Sequence, residues 1–154
     1  MAGLRACVNF DATTAADAWK GACSIAAPTN QMVKILKVKL TGTGTAGDAV
    51  PVEARFTRIT KGTGTATAAT PQKLNNALTA TVQTTAKHTF TIAPTEDGTA
   101  PYLYYGGFHP QGGLSDDLTF DEFTVKENTE VLLEVKVPSG GAAGNVRGNI
   151  VFEE

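Results

Sequence analysis

The stretch from Glu130 to Glu154 constrains the fold of this chain more than any other. It reads Glu-Val-Leu-Leu-Glu-Val-Lys-Val-Pro, then Ser-Gly-Gly-Ala-Ala-Gly, then Asn-Val-Arg-Gly-Asn-Ile-Val-Phe-Glu-Glu. Successive side chains of a strand point to opposite faces, so residues two apart share a face. Val131, Leu133, Val135 and Val137 then lie on one face, with Leu132, Glu134 and Lys136 on the other. In the second run Val146, Ile150 and Phe152 share a face opposite Arg147, Asn149 and Glu153. Two alternating runs around a glycine-rich turn predict a half-buried antiparallel hairpin.

The same grammar recurs upstream. Leu4, Ala6, Val8 and Phe10 alternate as a first strand, followed at 11–17 by an acid-bounded Ala/Thr segment that reads as a helical turn or a loop. Residues 19–26 form a second run, closed by the turn residues Ala27-Pro28-Thr29-Asn30. In the run 32–40, Met32, Leu36, Val38 and Leu40 share a face with Lys34, while Val33 and Ile35 sit opposite. Apolar residues on both faces there predict a central strand covered on both sides. In the run 50–60, Val50, Val52, Ala54 and Phe56 point inward and Glu53, Arg55 and Thr57 outward. Further strands are expected at 78–84, 88–93, 102–109 and 118–125, and long Thr/Gly-rich loops at 41–48 and 61–76. Many short strands with turn signals between them and no amphipathic helix predict an all-β fold: an antiparallel β-sandwich. The long connections suit strands that cross between sheets, as in a jelly-roll-like arrangement.

At 154 residues the chain reads as a single β-sandwich domain, large enough for a proper core without metal or disulfide staples. Charged residues make up only 18%, their place taken by Thr, Ala and Gly. A surface so short of charge suits either a weakly charged monomer or a chain that neighbours cover. The net charge of −2 argues against nucleic acid as a direct partner, since phosphate binding needs clustered Lys and Arg. Lys34, Lys37 and Lys39 are split between strand faces. No run approaches the roughly 20 apolar residues of a membrane helix, and Asp11 interrupts the opening segment before a signal-peptide apolar region forms. Cys7 and Cys23 could pair only if their strands are adjacent, and are expected instead as two small buried thiols of a reducing cytosol.

Catalytic patterns are not legible. His88 and His109 have no neighbouring His in sequence, so a cupin-type metal site is not expected. Asp116, Asp117, Asp121 and Glu122 lack the spacing of a calcium loop and read as an exposed turn leading into a strand. No Gly-x-Ser-x-Gly elbow is present, and neither glycine-rich tract ends in Gly-Lys-Ser/Thr before a helix. The expectation is a non-enzyme without cofactor. One patch stands out, Tyr-Leu-Tyr-Tyr-Gly-Gly-Phe-His-Pro. Alternation places Tyr102, Tyr104 and Phe108 on one face and Tyr105 and His109 on the other. Tyrosine joins a large apolar area to a polar tip, so the patch suits a protein interface or sugar stacking; rings filling a core are the alternative.

Three marks carry a family resemblance. One is Asp17-Ala18-Trp19 followed by Ile25-Ala26-Ala27-Pro28-Thr29-Asn30-Gln31-Met32. A second is Arg55-Phe56-Thr57-Arg58 leading through a Gly/Thr loop to Thr70-Pro71-Gln72-Lys73-Leu74-Asn75. The third is Glu130–Val137, the glycine turn and the run to Glu154. In this order of segments the chain resembles jelly-roll decoration (cement) proteins on the heads of tailed bacteriophages. The resemblance spans nearly the whole chain as residue classes, and no residue of known role carries across. It implies a structural virion protein on the capsid surface, made in the host cytoplasm, which bridges subunits of the major capsid protein and forms a homo-oligomer, with a trimer favoured. Contact would come from the 1–30 segment, the loops at 41–48 and 61–76, and the residues Trp19, Tyr102, Tyr104, Tyr105 and Phe108. The other readings are a phage tail, baseplate or head-fibre component, or a carbohydrate-binding module.

Overall fold

The computed structural model describes residues 3–42, 51–98, 102–109, 112–117, 123–141 and 143–154. Along the chain these form β1 (Arg5–Thr13), β2 (Lys20–Ala26), β3 (Val33–Gly42), β4 (Val52–Ile59), β5 (Thr65–Ala69) and β6 (Gln72–Lys73). There follow β7 (Thr85–Ile92), β8 (Tyr102–Phe108), β9 (Leu114–Asp117), β10 (Thr124–Val125), β11 (Glu130–Lys136) and β12 (Asn145–Glu153). The strands make two antiparallel sheets packed as a β-sandwich. The first runs β10-β3-β12-β1-β6, with β9 also on β3; the second runs β5-β7-β2-β11-β4-β8.

The pairing is nested. β1 pairs β12, β2 pairs β11, β3 pairs β9 and β10, and β4 pairs β8. The chain behaves as one long antiparallel ribbon rolled so that successive rungs fall in alternate sheets. This order corrects the expected terminal hairpin. β11 lies between β2 and β4 in the second sheet, and β12 lies between β1 and β3 in the first. Alternation fixes which face each run buries, but says nothing about which strand lies beside it; the glycine-rich link passes between sheets instead of reversing within one.

The inward faces follow the sequence closely. Ala6, Val8 and Phe10 of β1, Val52, Ala54 and Phe56 of β4, Val131, Leu133 and Val135 of β11, and Val146, Ile150 and Phe152 of β12 are all buried in one core. The Phe56 and Phe123 rings meet there, with centroids 4.5 Å apart.

Several expectations are overturned. β3 is not covered on two sides at its start. Opposite β12, Val151 faces Lys37 and Phe152 faces Ile35, so Leu36 is an extra residue that forms a bulge. The bulge shifts the alternation by one, so Val33 and Ile35 join Val38 and Leu40 in the core, while Met32 is left exposed. The acid-bounded segment at 11–17 starts as strand, because β1 runs on to Thr13. The 61–76 loop carries β5 and β6, and 78–84 forms no strand, the chain pairing again only from Thr85. Of the run expected at 118–125 only 123–125 lies among the described residues, with Thr124–Val125 as strand, while Asp116 and Asp117 stand in β9 and not in a turn. Asp121, Glu122 and most of the 41–48 loop lie outside the described residues.

The second sheet departs most from simple alternation. Arg55 and Thr57, expected outward into solvent, are buried, and so are Leu132 and Glu130 on the same outer side of β11. Something covers this face.

Candidate functional site

The cover is built from β4 upward. Register sets Arg55 opposite Glu134 and Thr57 opposite Leu132 on the neighbouring β11. The Arg55 Nε lies 2.7 Å from Glu134 Oε2, and the Thr57 hydroxyl donates to the same oxygen at 2.6 Å. The guanidinium carbon stacks 4.1 Å from the centre of the Trp19 ring and 4.0 Å from the Tyr102 ring. A cation over an aromatic face gains about 0.5–2 kcal/mol, more when desolvated. Glu96 stands 3.6 Å from Arg55 Nη2 and accepts a 3.4 Å hydrogen bond from the Tyr102 hydroxyl. At the lower edge Lys136 pairs with Glu53 at 3.0 Å and lies 5.0 Å over the Trp19 ring.

Two local devices bring the rings to Arg55. Trp19 follows a tight turn in which Asp17 takes a left-handed conformation (φ 55°), which a short polar side chain tolerates. The turn is pinned to the end of β11: Asp17 N donates to the Val137 carbonyl and Val137 N to that of Ala15. Tyr102 is placed by a bulge in β8. Phe56 faces Tyr104 and Thr57 faces Tyr102, so Leu103 is the extra residue.

That bulge corrects the expected aromatic face. Tyr102 does not share a face with Phe108. Phe108 is in the core, at 4% exposure, while Tyr102 is 54% exposed on the outer side. Opposite Val52 in register, Phe108 packs into the sandwich core and away from the outer face that carries Tyr102. Tyr104 and Tyr105 stand opposite Phe56 and Arg55 in the backbone register. Of the residues named from sequence, Trp19 and Tyr102 are thus brought together. Arg55, Thr57, Glu96 and Glu134 were missed. Arg55 and Glu134 did carry a signal, since alternation set both on outer faces with opposite charge. Their adjacency could not be read, because β4 and β11 are far apart in sequence.

A second polar centre lies on the same outer side. Glu130 is 2% exposed, takes a 2.6 Å hydrogen bond from the Ser24 hydroxyl and a 2.9 Å bond from Gly62 N, and faces Lys87 Nζ at 3.7 Å. The loop after β4 is held over it by Lys61, which donates to the Ala27 carbonyl and to Asn128. A buried carboxylate is tolerated only when its oxygens are paired in this way.

His88 lies on β7 and His109 just after β8, with β2, β11 and β4 between those strands, so they do not meet. Among the described residues no group of three His, Cys, Asp or Glu side chains is placed to hold a metal ion. Cys7 and Cys23 are both free thiols. Burial pushes the Cys23 thiol far above its usual range, which makes it a poor nucleophile. Among the described residues no helix is long and apolar enough to cross a membrane. Comparison with protein-family models, curated proteins and solved structures finds no match to this chain.

Proposed function

We propose that this chain is a non-enzymatic structural protein of a tailed-bacteriophage virion, a decoration protein that seats on the capsid and bridges subunits of the major capsid protein. The observation that carries this reading is the outer face of the second sheet. Trp19, Arg55 and Tyr102 form a pre-ordered stack there, with half of the Tyr102 side chain still open to a partner. Tryptophan, tyrosine and arginine are the residues that dominate binding energy at protein interfaces. Because Arg55 is already locked to Glu134, little side-chain entropy remains to be lost on docking. The nested ribbon of strands supports the jelly-roll form of the sandwich, which the family resemblance also implies.

In this reading the protein binds only the assembled lattice, and so stabilises it by mass action. A homotrimer is the favoured form, since it presents several copies of the stack to neighbouring capsid subunits at once. The test is a copy count on purified particles, with thermal disruption of particles bearing wild type or Tyr102→Ala. The reading expects near-stoichiometry with the major capsid protein and heat protection that is lost with the variant. A few copies per particle, or protection unchanged by Tyr102→Ala, would overturn it.

A further inference from the structure

Elsewhere, where the two sheets part, β1 and β12 of the first and β2 and β7 of the second enclose a hollow of about 380 Å³. That lies within the usual range for ligand sites, about 300–1,000 Å³. It continues into a neighbouring hollow of about 360 Å³ with which it shares Asp11 and Arg147. The first hollow is lined by Phe90 together with the polar residues Asp11, Lys20, Asn145 and Arg147.

The ring is set there by two unusual backbone features. Gly21 leaves its strand bare beneath it: a Cβ at that position would come within 2.9 Å of the Phe90 ring and 3.3 Å of Leu132 Cδ1. Beside it Thr89 has φ 52°, a left-handed conformation that strains a β-branched residue. Opposite β5, Ala66 faces Phe90 and Thr67 faces His88, so Thr89 is the extra residue of a bulge. The bulge comes just where β7 stops pairing with β2, after His88. It breaks the alternation that would set Phe90 on the face of Ala86 and His88, and the ring lies over Gly21 instead. Strained residues and bulges of this kind gather at ligand sites.

We infer that this groove binds an acidic saccharide, with Phe90 as the stacking platform. A sugar ring offers an apolar face to an aromatic ring and hydroxyls at its rim. Asp11 accepts from such hydroxyls, and Asn145 both donates and accepts. Arg147 is already ion-paired with Asp11 at 3.0 Å, so Lys20 supplies the net positive charge of the groove in a chain that is net negative, which selects a sugar bearing a carboxylate. The Trp19–Arg55–Tyr102 stack is less suited to the task, because a guanidinium already lies against each ring. The groove is independent of the proposed seat on the capsid.

The experiment titrates the free full-length protein with trigalacturonic acid and, separately, with neutral maltotriose, following backbone amide shifts by NMR. Trigalacturonic acid at millimolar concentration should shift amides at 11–13, 20–21, 88–91 and 145–148. Arg147→Gln and Lys20→Gln change exposed side chains, so the fold survives, and each should weaken binding about tenfold. Phe90→Ala should abolish binding, and Lys126→Gln should leave it unchanged. No shifts with trigalacturonic acid, shifts outside the groove, or equal response to maltotriose would each overturn the inference.

Discussion

The two sheets use the same inner chemistry and opposite outer chemistry. In the first, alternation is plain: along β1 every second residue is buried and the outer side faces water. Its outer contacts are exposed cross-strand pairs, Arg5 with Glu153 at 2.9 Å and Arg147 with Asp11 at 3.0 Å. In the second sheet the middle strands are buried on both sides, β11 along most of its length. Its outer contacts are enclosed: Glu130 with Ser24 and Gly62, and Arg55 with Glu134, Trp19 and Tyr102. The comparison teaches that the same ion-pair chemistry has different consequences on the two faces. Exposed pairs contribute little. Enclosed ones are costly to break, because the abandoned partner stays desolvated.

The largest effect should come from Arg55→Ala, which leaves Glu134 unpaired and uncovers both rings. A loss of about 3 kcal/mol in urea unfolding is expected, and a loss below that of an exposed pair would erase the distinction between the sheets. Gly148→Ala probes the first sheet from inside. An added Cβ there would run into the ring of Phe10 across the strand pair, which should cost about 2 kcal/mol. Phe10→Leu in the same background should restore part of the loss.

Glu130→Gln leaves one acceptor oxygen, which Gly62 N–H can keep, makes the Ser24 hydroxyl turn to accept from the new amide, and drops the charge facing Lys87; it should cost about 1 kcal/mol. The cysteines offer a milder comparison. Cys23 is fully buried and Cys7 partly exposed, so iodoacetamide should label Cys7 first by mass spectrometry. Because burial raises the folded thiol of Cys23, the native state holds its proton where the unfolded chain has lost it. Stability from this residue is complete below the unfolded thiol range and falls as pH rises past about 8.5. Cys23→Ala should flatten that alkaline slope. Smallest of all, Arg147→Ala should shift stability by no more than about 0.5 kcal/mol.

Period-two patterning made the all-β class and most of the core readable, because burial of one face is a local property. Val131, Leu133 and Val135, or Val146, Ile150 and Phe152, needed nothing beyond their own spacing. It failed where one extra residue changes the phase. Leu36 and Leu103 sit in bulges that depend on the partner strand, and no local signal marks them. Leu103 cost most at the candidate site, since it separates Tyr102 from Phe108. Trp19 was named as a contact residue only through the family resemblance, where it closes the mark Asp17-Ala18-Trp19. Its companion Arg55 was not, because only pairing between β4 and β11 turns an outward arginine into an enclosed one.

The nested ribbon also bears on how the chain reaches its native state. β12 is the strand that separates β1 from β3, so the first sheet has a gap at its centre until residues 145–153 leave the ribosome. Until then both flanking strands present unpaired edges on that side, a hazard for association between nascent chains. Contacts between β1 and β12, far apart in sequence, demand costly loop closure before any reward arrives, which predicts folding in milliseconds to seconds, begun only once β12 is available.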